Sequence, residues 1–110
     1  LAQGESDILK RVMLAAGSAG LRLFRNHNGL FYDKDGRAHK TGLCKGSADL
    51  IGWHVGTGKF VAAEIKTKTG RVSIEQQNFL DQVNKAGGIG IVCRDEKDLK
   101  KLIDNALECK

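Results

Sequence analysis

With 110 residues, 41% of them apolar, and a net charge of +5, the chain has material for one modest core and not for two. No apolar run approaches the ~18 residues of a membrane span, and the opening Leu1-Ala2-Gln3-Gly4-Glu5 lacks the basic start and apolar stretch of a signal peptide. Cys44, Cys93 and Cys109 are odd in number and off zinc-ligand spacing, and His27, His39 and His54 complete no set, which points to reduced thiols in a cytoplasmic protein and away from zinc.

There are no prolines and fourteen glycines, so glycine supplies the punctuation. Ile8, Leu9, Val12, Met13 and Ala16 share one helical face and predict a first helix from residue 5 to about 16. Gly17-Ser18-Ala19-Gly20 stops it, and 21–25 reads as a strand. A hairpin follows, with Asp33-Lys34-Asp35-Gly36 turning between Leu30-Phe31-Tyr32 and Arg37-Ala38-His39. Strands are expected at 48–55 and 59–66, joined by Gly56-Thr57-Gly58. A second helix runs from near Ser73 to Gly87-Gly88 and buries Phe79, Leu80, Val83 and Ala86. The run 89–93 is a short buried strand, and a last helix from about Glu96 turns Leu99, Leu102, Ile103, Ala106 and Leu107 inward. The order α-β-β-β-α-β-α with an extra hairpin predicts an α/β fold, a mixed central sheet flanked by helices in a single domain over 1–110.

The charge is unevenly placed. Between Lys34 and Arg71 stand eight bases and three acids (Asp35, Asp49, Glu64), whereas the bases and acids of the remainder cancel. That concentration is the footprint expected of a surface for phosphate backbone, although a solvated basic face gives the same count. Two of the three acids carry the candidate chemistry. Alternation along 59–66 sends Glu64 and Lys66 to the same side of a strand. Asp49 follows the small residues Gly46-Ser47-Ala48, which let a substrate come close. Two carboxylates and an ammonium so arranged suit a hard divalent cation bound by oxygen beside a phosphodiester. Each residue also has a plainer reading: a strand-edge Asp49, a Glu64 paired with Lys66 or an arginine, and a Lys66 that merely ends its strand.

Other residues divide similarly. Glu5 shares the buried stripe of the first helix, either to meet a cation or to favour the helix dipole. Gln76 stands three residues after Ser73 and fits a capping box, or it points inward to orient Lys66 or a metal-bound water. Asn26-His27-Asn28-Gly29 offers polar groups after a strand, with His27 a weak candidate base. Gly87-Gly88-x-Gly90 precedes a strand, so nucleotide-loop readings fail on context. Six aromatics, Phe24, Phe31, Tyr32, Trp53, Phe60 and Phe79, are few for stacking of single strands.

Taken in order, Glu5, Arg25-Asn26-His27-Asn28-Gly29, Lys45-Gly46-Ser47-Ala48-Asp49-Leu50-Ile51-Gly52, Glu64-Ile65-Lys66, Thr69-Gly70-Arg71, Glu75-Gln76-x-x-Phe79-Leu80 and Gly87-Gly88 resemble the VRR-NUC family of the PD-(D/E)xK nuclease superfamily. Ala48 stands where the superfamily name has proline. The short chain resembles stand-alone bacterial or phage members. The resemblance implies a restriction-endonuclease-like core and a divalent-metal-dependent DNA endonuclease. In it Asp49, Glu64 and the Ile65 carbonyl would hold Mg2+ or Mn2+, and Glu5 would join directly or through water. Lys66 would activate the attacking water and stabilise charge on the phosphate, and Gln76 would position either. Arg25, Asn28, Lys40, Lys45, Ser47, Lys68 and Arg71 are the expected DNA contacts. Such members resemble homodimers acting on branched DNA, notably four-way (Holliday) junctions, with 5′-phosphate and 3′-hydroxyl products. Flap or general nicking, a non-catalytic DNA-binding module, and a small-molecule phosphohydrolase are the rival expectations. The breadth of the basic region speaks against the last.

Overall fold

The computed structural model describes residues 3–27 and 29–108. In it a helix α1 (Gln3–Ala15) and a short 3-10 turn lead into β1 (Leu21–Arg25). A hairpin of β2 (Gly29–Tyr32) and β3 (Ala38–Thr41) follows, then β4 (Leu50–His54), β5 (Phe60–Ile65), α2 (Ile74–Lys85), β6 (Ile89–Cys93) and α3 (Leu99–Glu108). The main sheet has the order β1-β4-β5-β6. The β1–β4 and β4–β5 pairs are antiparallel, and β6 joins β5 in parallel across the α2 crossover. The expected mixed sheet flanked by helices is therefore present. β2 and β3 form a separate two-stranded sheet.

One face of the main sheet buries an apolar cluster. Leu21, Leu23, Leu50, Val61, Ala63, Ile65, Ile89, Ile91 and Cys93 pack there against Ile8, Leu9 and Val12 of α1 and Leu99 and Ile103 of α3. The other face is covered by α2 only over β5 and β6, where Ala48, Ala62 and Leu80 make a smaller cluster with Phe79, Val83 and Val92 at its border. Over β1 and β4 that face stays open: Phe24 and Trp53 are exposed, their rings 5.6 Å apart. β5 thus reads as the central strand, buried at every position from Val61 to Ile65.

Local chemistry explains the boundaries. Ser73 caps α2 in a full capping box: its Oγ accepts from the Gln76 N–H at 3.1 Å, and Gln76 Oε1 accepts from the Ser73 N–H at 2.9 Å. Gly87, at φ 95°, takes the chain out of the helix. Gly90 lets α2 lie close on β6, since a Cβ there would stand 2.6 Å from the Leu80 carbonyl oxygen. Two burial expectations fail. Met13 is 39% exposed and Ala86 is exposed. Met13 follows Val12 and falls past the edge of the buried stripe, and Ala86 is the α2 cap, beyond the last turn that meets the sheet. β4 and β5 are each shorter than expected, and α3 begins at Leu99 after a 3-10 turn over Glu96–Asp98.

Candidate active site

The strands part company at one end of the sheet. The β1–β4 pairing ends at Arg25 and Leu50, and the β4–β5 pairing ends at Leu50 and Ala63. Asp49 stands in the gap. Its backbone carbonyl accepts from the Asn26 N–H at 2.8 Å, and its side-chain Oδ2 accepts from the Ile65 N–H at 2.8 Å. The carboxylate therefore replaces the missing ladder bond to β5 and is fixed against that strand. One residue earlier on β5, Glu64 is 1% exposed. Its Oε1 accepts from Gln76 Nε2 at 3.3 Å, and its Oε2 is buried without a hydrogen-bond partner among the described residues.

This is an unusual place for a carboxylate. Burial first, and then the adjoining Asp49 carboxyl, push Glu64 up to about 9; Lys66 opposes the rise and Glu5 adds to it. As an acid Glu64 donates to Asp49; as an anion it leaves Oε2 unanswered. Lys66 lies just past the end of β5, where its N–H still donates to the Cys93 carbonyl at 3.2 Å. The extended path thus carries one residue beyond the strand, as the alternation of Glu64 and Lys66 requires. Gln76 closes the cap of α2 with Oε1, as expected, and also points inward, but the group its Nε2 reaches is Glu64 rather than Lys66.

A cleft of about 530 Å³ opens over Asp49 and Gln76 and is lined by Arg25, Asn26, His27, Ser47 and the base of the hairpin. Gly46, at φ 83°, forms part of its wall. A Cβ there would stand 2.6 Å from the Glu75 Cβ, so the loop can lie on the start of α2 only as glycine. Ser47 lines the cleft yet is 4% exposed, its Oγ accepting from Asn26 Nδ2 at 2.9 Å. Its Oγ thereby helps to shape the loop. Arg25, Lys40, Lys45, Lys68 and Arg71 are exposed; Asn28 lies outside the described residues. His27 is exposed on the cleft.

Glu5 reaches this end from α1, whose Gly4 would bring a Cβ to 3.2 Å from the Thr67 methyl. Among the described residues no three His, Cys, Asp or Glu side chains are grouped as metal ligands. The close-set acids are therefore Asp49 and Glu64, with Glu5 acting on Glu64 through space.

Two residues of the site have roles that the sequence reading does not assign. Asn26 bonds both the Ser47 hydroxyl and the Ala48 carbonyl, each at 2.9 Å, and so braces the segment that delivers Asp49. Arg94 Nη1 donates to the Thr67 carbonyl at 2.7 Å and the Gly70 carbonyl at 2.6 Å, which folds the loop after Lys66. Asn26 had a signal, an amide at the end of a strand beside a small-residue loop. Arg94 had none, because its partners lie 27 and 24 residues away.

Sheet and helices are compatible with a restriction-endonuclease-like architecture, with an acid pair and a lysine at the open end of the sheet. The model of the VRR-NUC domain matches residues 25–96, well over half of the chain. The protein belongs to the VRR-NUC domain family, and that membership implies a nuclease. Asp49, Glu64, Lys66, Gln76, Asn26 and Arg94 fall within the match, whereas Glu5 precedes it. A search of curated proteins finds no match.

Proposed function

We propose that the protein is a divalent-metal-dependent DNA endonuclease selective for branched DNA, resolving four-way junctions as a homodimer. The observation that carries the catalytic part is the buried Glu64 carboxyl beside Asp49, with an oxygen that no donor among the described residues answers. A carboxylate pair in so dry a place needs a counter-charge. Lys66 alone leaves Glu64 raised to about 9, so the donor set fits a hard cation that takes oxygen ligands. Asp49, Glu64 and the Ile65 carbonyl would hold Mg2+ or Mn2+, and Glu5 would reach it through water. Once bound, the ion supplies polarisation of the scissile phosphate and a lowered pKa for the attacking water.

The chain's own residues do the rest. Gln76 holds one oxygen of Glu64 in place, and the Ile65 N–H holds one oxygen of Asp49. Lys66 faces the attacked phosphate and offsets the charge that develops on it. Arg25 on the cleft wall and the exposed Lys40, Lys45, Lys68 and Arg71 would supply positive charge for the flanking backbone. Two symmetric cuts across a junction need two such sites, which a two-fold dimer supplies.

The test is cleavage of a labelled four-way junction, beside linear duplex and flap controls, with Mg2+ or Mn2+ and with Asp49→Asn in parallel. Paired symmetric nicks that disappear in EDTA and in the variant are expected. Nicking of flaps with no cut in any junction would leave a flap nuclease. Cutting that survives EDTA would remove the metal.

A further inference from the structure

The β2–β3 hairpin has no part in the main sheet, and among the described residues its hydrogen bonds all stay within it. Yet it leaves β1 and returns to β4 at the end of the sheet where Asp49 stands, and Leu30 and Phe31 line the same cleft. Its apolar side chains do not find a core. Leu30 is 55%, Phe31 50% and Tyr32 66% exposed. Two-stranded hairpins are marginal alone in water, so the rigidity of this one must come from its turn. Asp33 Oδ1 accepts from the N–H groups of Asp35 and Arg37, each at 2.9 Å, and Oδ2 lies 2.8 Å from His39 Nε2. His39 in turn stacks on its cross-strand partner Phe31, ring centroids 5.0 Å apart and planes at 19°. One face of Phe31 is thus backed by an imidazole anchored to a carboxylate.

From this we infer that the hairpin is a stacking platform for an unpaired nucleobase at a DNA branch, with Phe31 the stacking ring and Tyr32 and Leu30 flanking it. The inference deepens the nuclease reading and rests on it for the identity of the partner as DNA. Six aromatics in the chain are few for recognising a single strand along its length. A branch, however, exposes only one or two bases, and one fixed ring suffices for those. The surrounding charge selects nucleic acid over protein as the occupant. Lys40 stands opposite Leu30 in the ladder, Lys34 and Arg37 sit at the turn, and Arg25 is on the cleft wall. Interleaved lysines are depleted in the cores of protein interfaces but suit phosphates on either side of a stacked base.

The experiment measures binding in EDTA by fluorescence anisotropy, comparing a four-way junction and a forked duplex with a linear duplex of equal length. Wild type is expected to prefer the branched DNAs. Phe31→Ala with Tyr32→Ala is expected to cut that preference roughly 5- to 100-fold, the range set by stacking of one base, while linear-duplex affinity holds. Phe31→Trp is expected to retain the preference, with stronger indole quenching on the fork than on the linear duplex. Thermal melts of the variants matching wild type establish that the fold is intact. An unchanged preference in the double variant, or no preference in wild type, overturns the inference. So does a dimer, seen by sedimentation, that the double variant dissociates, since the hairpin is then a self-association arm. Because binding is read without metal, absence of cleavage by wild type sinks the nuclease reading separately.

Discussion

The two faces of the central sheet are built to different rules. Toward α1 and α3 the buried strand residues are all apolar, from Leu21 across to Cys93. Toward α2 the cluster is small, and beside it lies Glu64, a carboxyl with one oxygen unanswered among the described residues. The difference teaches where the molecule stores its stability and where it spends some of it on chemistry. An unpaired acid in a dry setting is destabilising by its nature, so the apolar face must carry enough surplus to hold it.

Breaking the apolar face should have the largest effect. Ile103→Ala removes a fully buried side chain of α3 and is expected to lower unfolding free energy by about 2–5 kcal/mol, read by denaturant titration.

The opposite face should respond with opposite signs in stability and activity. Glu64→Gln is expected to reduce metal-dependent cleavage on the order of 10²-fold or more. The same change should raise the melting temperature in EDTA at pH 8. Glu64 sits at about 9 in the folded chain against 4.5 ordinarily. The folded state therefore keeps a proton that the unfolded chain has released. Metal-free stability from this group is complete below about 4.5 and declines as pH rises toward about 9. Melting curves across that window should slope down for wild type and flatten for Glu64→Gln. Parallel slopes would show that Glu64 is not the group responsible.

Smaller effects sharpen the contrast at the rim. Asn26→Ala deprives the Ser47 hydroxyl and the Ala48 carbonyl of their donor and is expected to cost about 1–2 kcal/mol. Activity should fall further than that stability loss explains, because Asp49 loses its brace. Arg94→Lys should change stability by about 1 kcal/mol or less, since one ammonium replaces a planar guanidinium on exposed carbonyls. Its measurable effect is on KM for DNA, through a looser loop at Lys68.

These two faces were also unequally legible. β1 and β6 stand at 21–25 and 89–93, where alternating or continuous apolar residues between glycines place them. β5 was readable as central from the near-continuous run Val61-Ala62-Ala63-Glu64-Ile65, and all five of those residues are buried. The pairing of Glu64 with Lys66 followed from a period of two, and needed no tertiary information. Met13 failed because a helical stripe has a width that spacing alone does not set. Gln76 was readable as a cap, but its second bond depends on where α2 lies over β5. Asn26 and Arg94 depend wholly on such long-range packing. The hairpin was foreseen as a hairpin, yet its ring stack and detachment from the sheet are properties of the folded molecule.

The bond from the Asp49 side chain to the Ile65 N–H spans only 16 residues of chain, both ends lying on the β4–β5 unit. Contacts that close so short a loop form early, because little chain entropy is lost in making them. The framework of the acid pair can thus be assembled before α1 and α3 dock from the distant ends of the sequence. Pulse-labelling of amide exchange during refolding should find the Ile65 N–H protected ahead of the amides of α3.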